Sequence, residues 1–199
     1  MKHQIGDLYQ MQSLPLSAKI CMTQRRIIDW YNHFFGDVYL SFSGGKDSTV
    51  LKHIIQSMGY DIPAVFIDTG LEYPEIREFV KQCRANGENI EIIRPTLTFR
   101  QVIERYGYPV ISKEVSRRVQ YAKKAIAEGR ESTHGDYQKL CGLALDKDGK
   151  KSQFNCEKWK FLLDAPFKCS SECCTVMKKS PAKKICKRNG KKTNFSYNG

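Results

Sequence analysis

The run from Val38 to Thr49 constrains the fold of this chain more than any other. Its residues, Val-Tyr-Leu-Ser-Phe-Ser-Gly-Gly-Lys-Asp-Ser-Thr, pass from an apolar strand through a paired-glycine turn into a helix. Strand, turn and helix in this order form the first half of a βαβ unit. Gly44 and Gly45 permit backbone conformations closed to other residues and let an anion approach the main chain. The amides of the turn and of the helix start then point to one spot, and the helix dipole adds partial positive charge there. Lys46 supplies a full charge, and Ser43, Ser48 and Thr49 supply hydroxyls. A phosphate, pyrophosphate or sulfate is the natural occupant. The pattern is not a Walker loop, which requires a glycine where this chain has Leu40 and a Ser or Thr where it has Asp47.

Hydrophobic periodicity places a helix over 16–35, where Ile20, Ile27, Ile28, Tyr31, Phe34 and Phe35 recur at three-to-four spacing and Gly36 ends the run. A strand over 37–42 follows, then a helix over 47–58 with Val50, Leu51, Ile54, Ile55 and Met58 as its buried stripe. Residues 63–68 form a continuous apolar run of the kind that parallel strands show when both faces are buried. It leads into Asp68-Thr69-Gly70, and Pro74 suits the first turn of a helix reaching 86. A third strand over 89–94 and a short helix over 99–105 continue the alternation. The fold class is therefore α/β, a Rossmann-like doubly wound parallel sheet with right-handed crossovers. Ligands of such sheets bind at the carboxyl ends of the strands. Ser41 and Phe42 with the glycine loop, and Asp68, Thr69 and Gly70, fall there. After Pro109 the pattern changes to a basic helix over 113–128, a polar stretch with an exposed turn at 146–151, an aromatic segment at 159–163 and a lysine-rich helix over 171–188. This divides the chain into a nucleotide-binding core over 1–110 and a helical, Cys- and Lys-rich region over 111–199.

A hydrophobic content of 41% is enough for a core. No stretch approaches the roughly 20 apolar residues of a membrane span, and Met1 to Asp7 carries no signal-like apolar run. The expectation is a cytoplasmic protein without a membrane partner. The net charge of +12 favours polyanions: a nucleotide, DNA or RNA. The excess gathers in Lys178, Lys179, Lys183, Lys184, Lys187, Arg188, Lys191 and Lys192, with a second group in Arg117, Arg118, Lys123 and Lys124. Of eight cysteines, six lie after residue 140, which in a cytosolic protein points to thiols, metal binding or redox chemistry. No Cys-x-x-Cys pair occurs, so spacing indicates neither a zinc ribbon nor a redox dithiol. No Ser-His-Asp or His-Glu-x-x-His pattern is visible.

Ser43-Gly44-Gly45-Lys46-Asp47-Ser48 is the Ser-Gly-Gly-x-Asp-Ser signature of the PP-loop ATP pyrophosphatases. With Asp68-Thr69-Gly70, a following acid and proline, and Cys173-Cys174-Thr175-Val176-Met177-Lys178-Lys179-Ser180-Pro181, the chain resembles the phosphoadenosine phosphosulfate (PAPS) reductase family over roughly 15–190, and within it the phage and prophage branch. The resemblance implies that Ser43 to Ser48 hold the phosphate or phosphosulfate end of an adenine nucleotide: PAPS, adenosine phosphosulfate (APS) or ATP. Phe42 and the segment from Ile67 to Gly70 would flank the adenosine. Cys173 and Cys174 would be ligands of a [4Fe–4S] cluster, with Cys156 as the candidate third, since such clusters take four thiolates. Asp47 would orient the loop, hold Mg²⁺ or cap the following helix.

The tail departs from that family. Residues 191–199 stand where relatives continue into a further strand, an acidic-Ser-Arg segment and more cysteines, so the chain reads as C-terminally truncated. On this reading the strand over 37–42 becomes an unprotected edge, and dimerisation or a partner chain would cover it. Three functions fit: sulfonucleotide reduction, ATP-dependent adenylation or thiolation of a nucleic acid, and an inactive regulatory protein of phage type that binds a nucleotide or a nucleic acid.

Overall fold

The computed structural model describes residues 5–188 and 193–195. They form two compact units: Met1–Arg94 with Ala182–Gly199, and Pro95–Pro181.

The first unit contains helices α1 (Ile5–Ser13) and α2 (Leu16–His33), strand β1 (Val38–Ser41), helix α3 (Lys46–Ser57), strand β2 (Ala64–Ile67), helix α4 (Pro74–Ala85) and strand β3 (Ile90–Ile93). A fourth strand, β4 (Thr193–Phe195), comes from the tail. The sheet is parallel throughout, in the order β3-β2-β1-β4, with Ser41 opposite Val65 and Ile67 opposite Ile93. Because β1, β2 and β3 step in one direction, right-handed crossovers put α3 and α4 on the same face. Alternation along the strands follows. Val38, Leu40, Ala64, Phe66 and Ile90 pack with Ile27 of α2, Ile54 and Ile55 of α3, and Val80 of α4. Tyr39 and Val65 face the other way and meet Ile185 of α8 (Ser180–Arg188). Both faces of β1 and β2 are buried, which is why they read as unbroken apolar runs. α1 was not legible in the sequence, and none of its residues is buried.

The expected open edge at β1 is overturned. Val38, Tyr39 and Leu40 pair with Thr193, Asn194 and Phe195, so the tail supplies the strand that its composition did not announce. β1 is internal, and the argument for a partner chain at that edge falls with it.

The buried stripe of α3 also differs from its expected register. Val50 is 59% exposed, whereas Lys52 is 8% exposed. The Lys52 ammonium pairs with Glu88, donates to Cys83 Sγ at 3.5 Å and lies 4.9 Å from the Phe42 ring centroid. A carboxylate and an aromatic face together make that burial tolerable. Glu88→Gln is expected to cost about 2–3 kcal/mol by leaving a buried ammonium unmatched, and Lys52→Met less than about 1 kcal/mol, since the thioether fills the same slot. Urea unfolding of the two variants checks the order; equal losses would show that the ion pair is not what matters.

The second unit contains α5 (Phe99–Tyr106), α6 (Lys113–Ala127), α7 (Gly135–Leu140), a 3-10 helix over Glu157–Leu163 and a π-helical turn over Thr175–Lys179. Thr98 and Gln101 form a capping box on α5, and Ser112 caps α6 by accepting from Val115 N. Val115, Val119 and Ala122 of α6 pack with Leu140, Leu162 and Cys169. The lysine-rich helix read over 171–188 is helical from Cys173 onward, with the π turn over Thr175–Lys179 leading into α8. Pro181 has no N–H for the Met177 carbonyl, and the turn ahead of it widens.

Candidate functional site

β1 ends at Ser41, and Phe42 N donates to Val65 O at 2.9 Å, so the loop leaves the sheet beside β2. Gly44 has φ +72°, and a Cβ there would stand 2.8 Å from Ile76 Cγ2 and 3.1 Å from Val80 Cγ2 of α4. Only glycine satisfies both conditions. Gly45 is extended (φ −82°, ψ 170°) and starts α3 with no side-chain cap. The first-turn amides of α3 therefore have no intrahelical acceptor, and they carry the positive end of the helix dipole. Ser48 is the hub of the loop: its Oγ accepts from Ser43 N at 3.3 Å, lies 3.0 Å from Ser43 Oγ and donates to Gly45 O at 3.0 Å. Thr49 Oγ1 donates to the same carbonyl at 2.9 Å. Lys46 and Asp47 are exposed, and neither enters an ion pair among the described residues. Asp47 makes no capping hydrogen bond. The loop thus presents a free ammonium beside unfilled amides, an arrangement suited to a phosphate-type anion.

Phe42 is 2% exposed, its ring 6.4 Å from that of Phe79. What it offers a ligand is main chain, because its ring belongs to the core.

At the end of β2, Asp68 is 6% exposed. Its Oδ1 accepts from Gly70 N at 3.1 Å, and its Oδ2 accepts from Arg77 Nη2 at 3.2 Å and Arg94 Nε at 3.3 Å. Thr69 is tied to Glu72, N to Oε2 at 2.9 Å and Oγ1 to Oε1 at 2.7 Å. Asp68 and Thr69 therefore fix the turn, and Gly70, exposed with φ +81° and nothing within 4 Å of a Cβ, lies open. Arg77 and Arg94 were not found from the sequence. The available signal was the buried acid at a strand end, which requires a cation, but those cations come from α4 and from the end of β3. α4 joins the two halves of the site, since Ile76 and Val80 touch Gly44 while Arg77 holds Asp68. A cleft of about 280 Å³ opens elsewhere, lined by Lys52, Tyr60, Asp61, Glu88 and Asn89. It lies at the amino ends of β2 and β3, away from the loop.

The phosphoadenosine phosphosulfate reductase domain family matches residues 37–135, a span that includes the loop, the Asp68 turn and both of its arginines. The chain belongs to this family. Among relatives, it is similar to the adenosine 5'-phosphosulfate reductase of Bacillus velezensis (28% identical over 132 residues, 65% of this chain and 56% of that protein). It is similar to adenosine 5'-phosphosulfate reductase 1 of Bacillus subtilis at 27% over the same shares. To the phosphoadenosine 5'-phosphosulfate reductase of Alkalilimnicola ehrlichii it is 27% identical over 99 residues, 49% of this chain and 40% of that protein. The chain thus spans little more than half the length of the curated relatives it matches first.

The cysteines named as [4Fe–4S] ligands are not gathered on one point among the described residues. Among the described residues no three His, Cys, Asp or Glu side chains converge on a metal position. Cys156 Sγ accepts from Arg118 Nη1 at 3.2 Å. Cys173 and Cys174 are half-buried immediately before the π turn.

The basic groups are also redistributed. Arg117 pairs with Asp136, Arg118 is 4% exposed and pairs with Glu114, Lys123 donates to Ala165 O and Phe167 O, and Lys124 pairs with Glu128. Each of the four is engaged within its unit, Arg118 in the interior and Lys124 at the surface. Lys178, Lys179, Lys183 and Lys184 are exposed, and Lys191 and Lys192 lie outside the described residues. No helix among the described residues is long and apolar enough to cross a membrane.

Proposed function

We propose that this chain binds an adenine nucleotide of the sulfonucleotide type, PAPS or APS, with its phosphosulfate end on the Ser43 to Ser48 loop. The observation that carries this reading is the loop itself: a positive-φ Gly44 pressed on α4, an uncapped α3 start and an unpaired Lys46. The family and the names of its relatives support the choice of nucleotide class. In sulfonucleotide reduction a thiolate attacks the sulfate sulfur, the bond from sulfur to the bridging oxygen breaks, and negative charge grows on the departing phosphate. The first-turn amides and Lys46 stand ready for that charge before it develops, which is electrostatic preorganisation. Ser41 and the main chain of Phe42 and Gly70 would line the adenosine side, with Asp68 and Thr69 shaping that wall from behind. Asp47, exposed and unpaired, is the group that would meet Mg²⁺ were the nucleotide a triphosphate.

Calorimetric titration with APS, PAPS, AMP and ATP tests the reading. Lys46→Ala is expected to weaken nucleotide binding about 10- to 100-fold, or about 1.4–2.7 kcal/mol, with no change in melting temperature, since Lys46 holds nothing in place. Substituting Lys183 and Lys184 together is expected to leave nucleotide affinity unchanged. Binding that ignores Lys46 and follows the α8 lysines would replace the loop with a basic surface as the anion site.

A further inference from the structure

Spacing hides one pair of cysteines whose adjoining residues the fold brings together. Cys141 follows α7 directly, and Cys156 directly precedes the 3-10 helix over Glu157–Leu163. One carbonyl oxygen joins the two segments: Lys139 O accepts from Gly142 N at 3.3 Å and from Cys156 N at 2.9 Å. A Cβ placed on Gly142 would stand 3.1 Å from Glu157 Cβ. The residues immediately after the two cysteines are therefore already in contact, and a disulfide needs a Cβ separation of only about 3.5–4.5 Å.

Both thiols are free and half-buried, within reach of a small oxidant. Each has a polar neighbour. Arg118 Nη1 donates to Cys156 Sγ at 3.2 Å, and Arg118 is itself buried and fixed by Glu114 and the Phe154 carbonyl. Tyr137 shares a hydrogen bond with Cys141, and that bond is the main cause pushing the phenol above its ordinary pKa. The fixed Arg118 guanidinium thus stands against the Cys156 sulfur, the one assigned below to react first.

We propose that Cys141 and Cys156 form a redox-active dithiol that a hydroperoxide converts to a disulfide. The Cys156 thiolate attacks the peroxide, a sulfur–oxygen bond forms, the O–O bond breaks, and the leaving hydroxide takes a proton to become water. The Cys141 thiolate then attacks the Cys156 sulfenic sulfur. The S–S bond forms, the S–O bond breaks, and a second water leaves. Two thiols and one hydrogen peroxide give one disulfide and two waters, with both electrons drawn from the sulfurs. A thiol reductant reverses the change by exchange.

The test uses the full chain, freshly reduced and freed of reductant. It is treated with one equivalent of hydrogen peroxide, blocked with N-ethylmaleimide and mapped by mass spectrometry without reduction. The expected result is a dominant Cys141–Cys156 cross-linked peptide and a loss of two titratable thiols from the eight present. Cys141→Ser is expected to leave a Cys156 sulfenic acid that dimedone traps. Tyr137→Phe, which keeps the ring, is expected to slow disulfide formation about tenfold. The proposal fails if both cysteines carry maleimide after peroxide treatment. It also fails if either pairs with Cys173 or Cys174 in equal yield.

Discussion

Gly107→Ala is expected to destabilise the second unit by about 4 kcal/mol or more, in the range reserved for backbone collisions. Gly107 has φ +108°, and an added Cβ would lie 2.4 Å from Lys168 O and 2.6 Å from Lys168 C. These are main-chain atoms that cannot swing aside. They are held there because Tyr108 N donates to Lys168 O at 2.7 Å and Ser170 N donates to Tyr108 O at 3.0 Å. Making room for the methyl breaks that pairing. Gly87→Ala is the control: its φ is +87° and no atom lies within 4 Å, so it is expected to cost only the left-handed penalty of about 1–2 kcal/mol. Urea melts of both variants would separate collision from conformation, and matching midpoints would refute the steric account.

Asp68→Asn is expected to cost about 2–3 kcal/mol of stability and to weaken nucleotide binding about tenfold. The amide keeps the size and can still accept from Gly70 N, but the charge shared by Arg77 and Arg94 is lost. Arg94 is 75% exposed and screened by water, so most of the loss falls on Arg77. With its anchor weakened, the turn that presents Gly70 loosens. Denaturant unfolding and nucleotide titration on the same sample check both parts. A variant as stable as the parent that binds more tightly would mean that Asp68 competes with the ligand for the arginines and does not brace the turn.

The sheet was legible in the sequence because β1 and β2 are buried on both faces, which leaves an apolar run no other element explains. The glycine loop was legible because its chemistry and its geometry reside in the same few consecutive residues. Legibility stopped where a residue's environment is made by distant chain. Lys52 looks like a surface residue until Glu88 is set beside it, and Val50 looks buried although the fold turns it to solvent. Asp68 could be named, but its two cations belong to different elements. Thr193-Asn194-Phe195 becomes a strand only because β1 offers it a ladder. Cys156 was named a metal ligand from family resemblance alone, and its neighbour Arg118, 38 positions away in sequence, could not be foreseen.

The pairing of Val38 with Thr193 gives the chain a particular problem during synthesis. β1 emerges from the ribosome early and must wait, with one flank unpaired, while the whole of the other compact unit is translated. Pairing residues so far apart in sequence requires loop closure before any contact rewards it, which slows folding. In that interval Val38, Tyr39 and Leu40 are an open apolar ladder at high local concentration on a polysome. Yield in a heterologous host should therefore rise when elongation is slowed less, or when a holding chaperone that binds extended apolar segments is raised, well before any property of the finished protein changes.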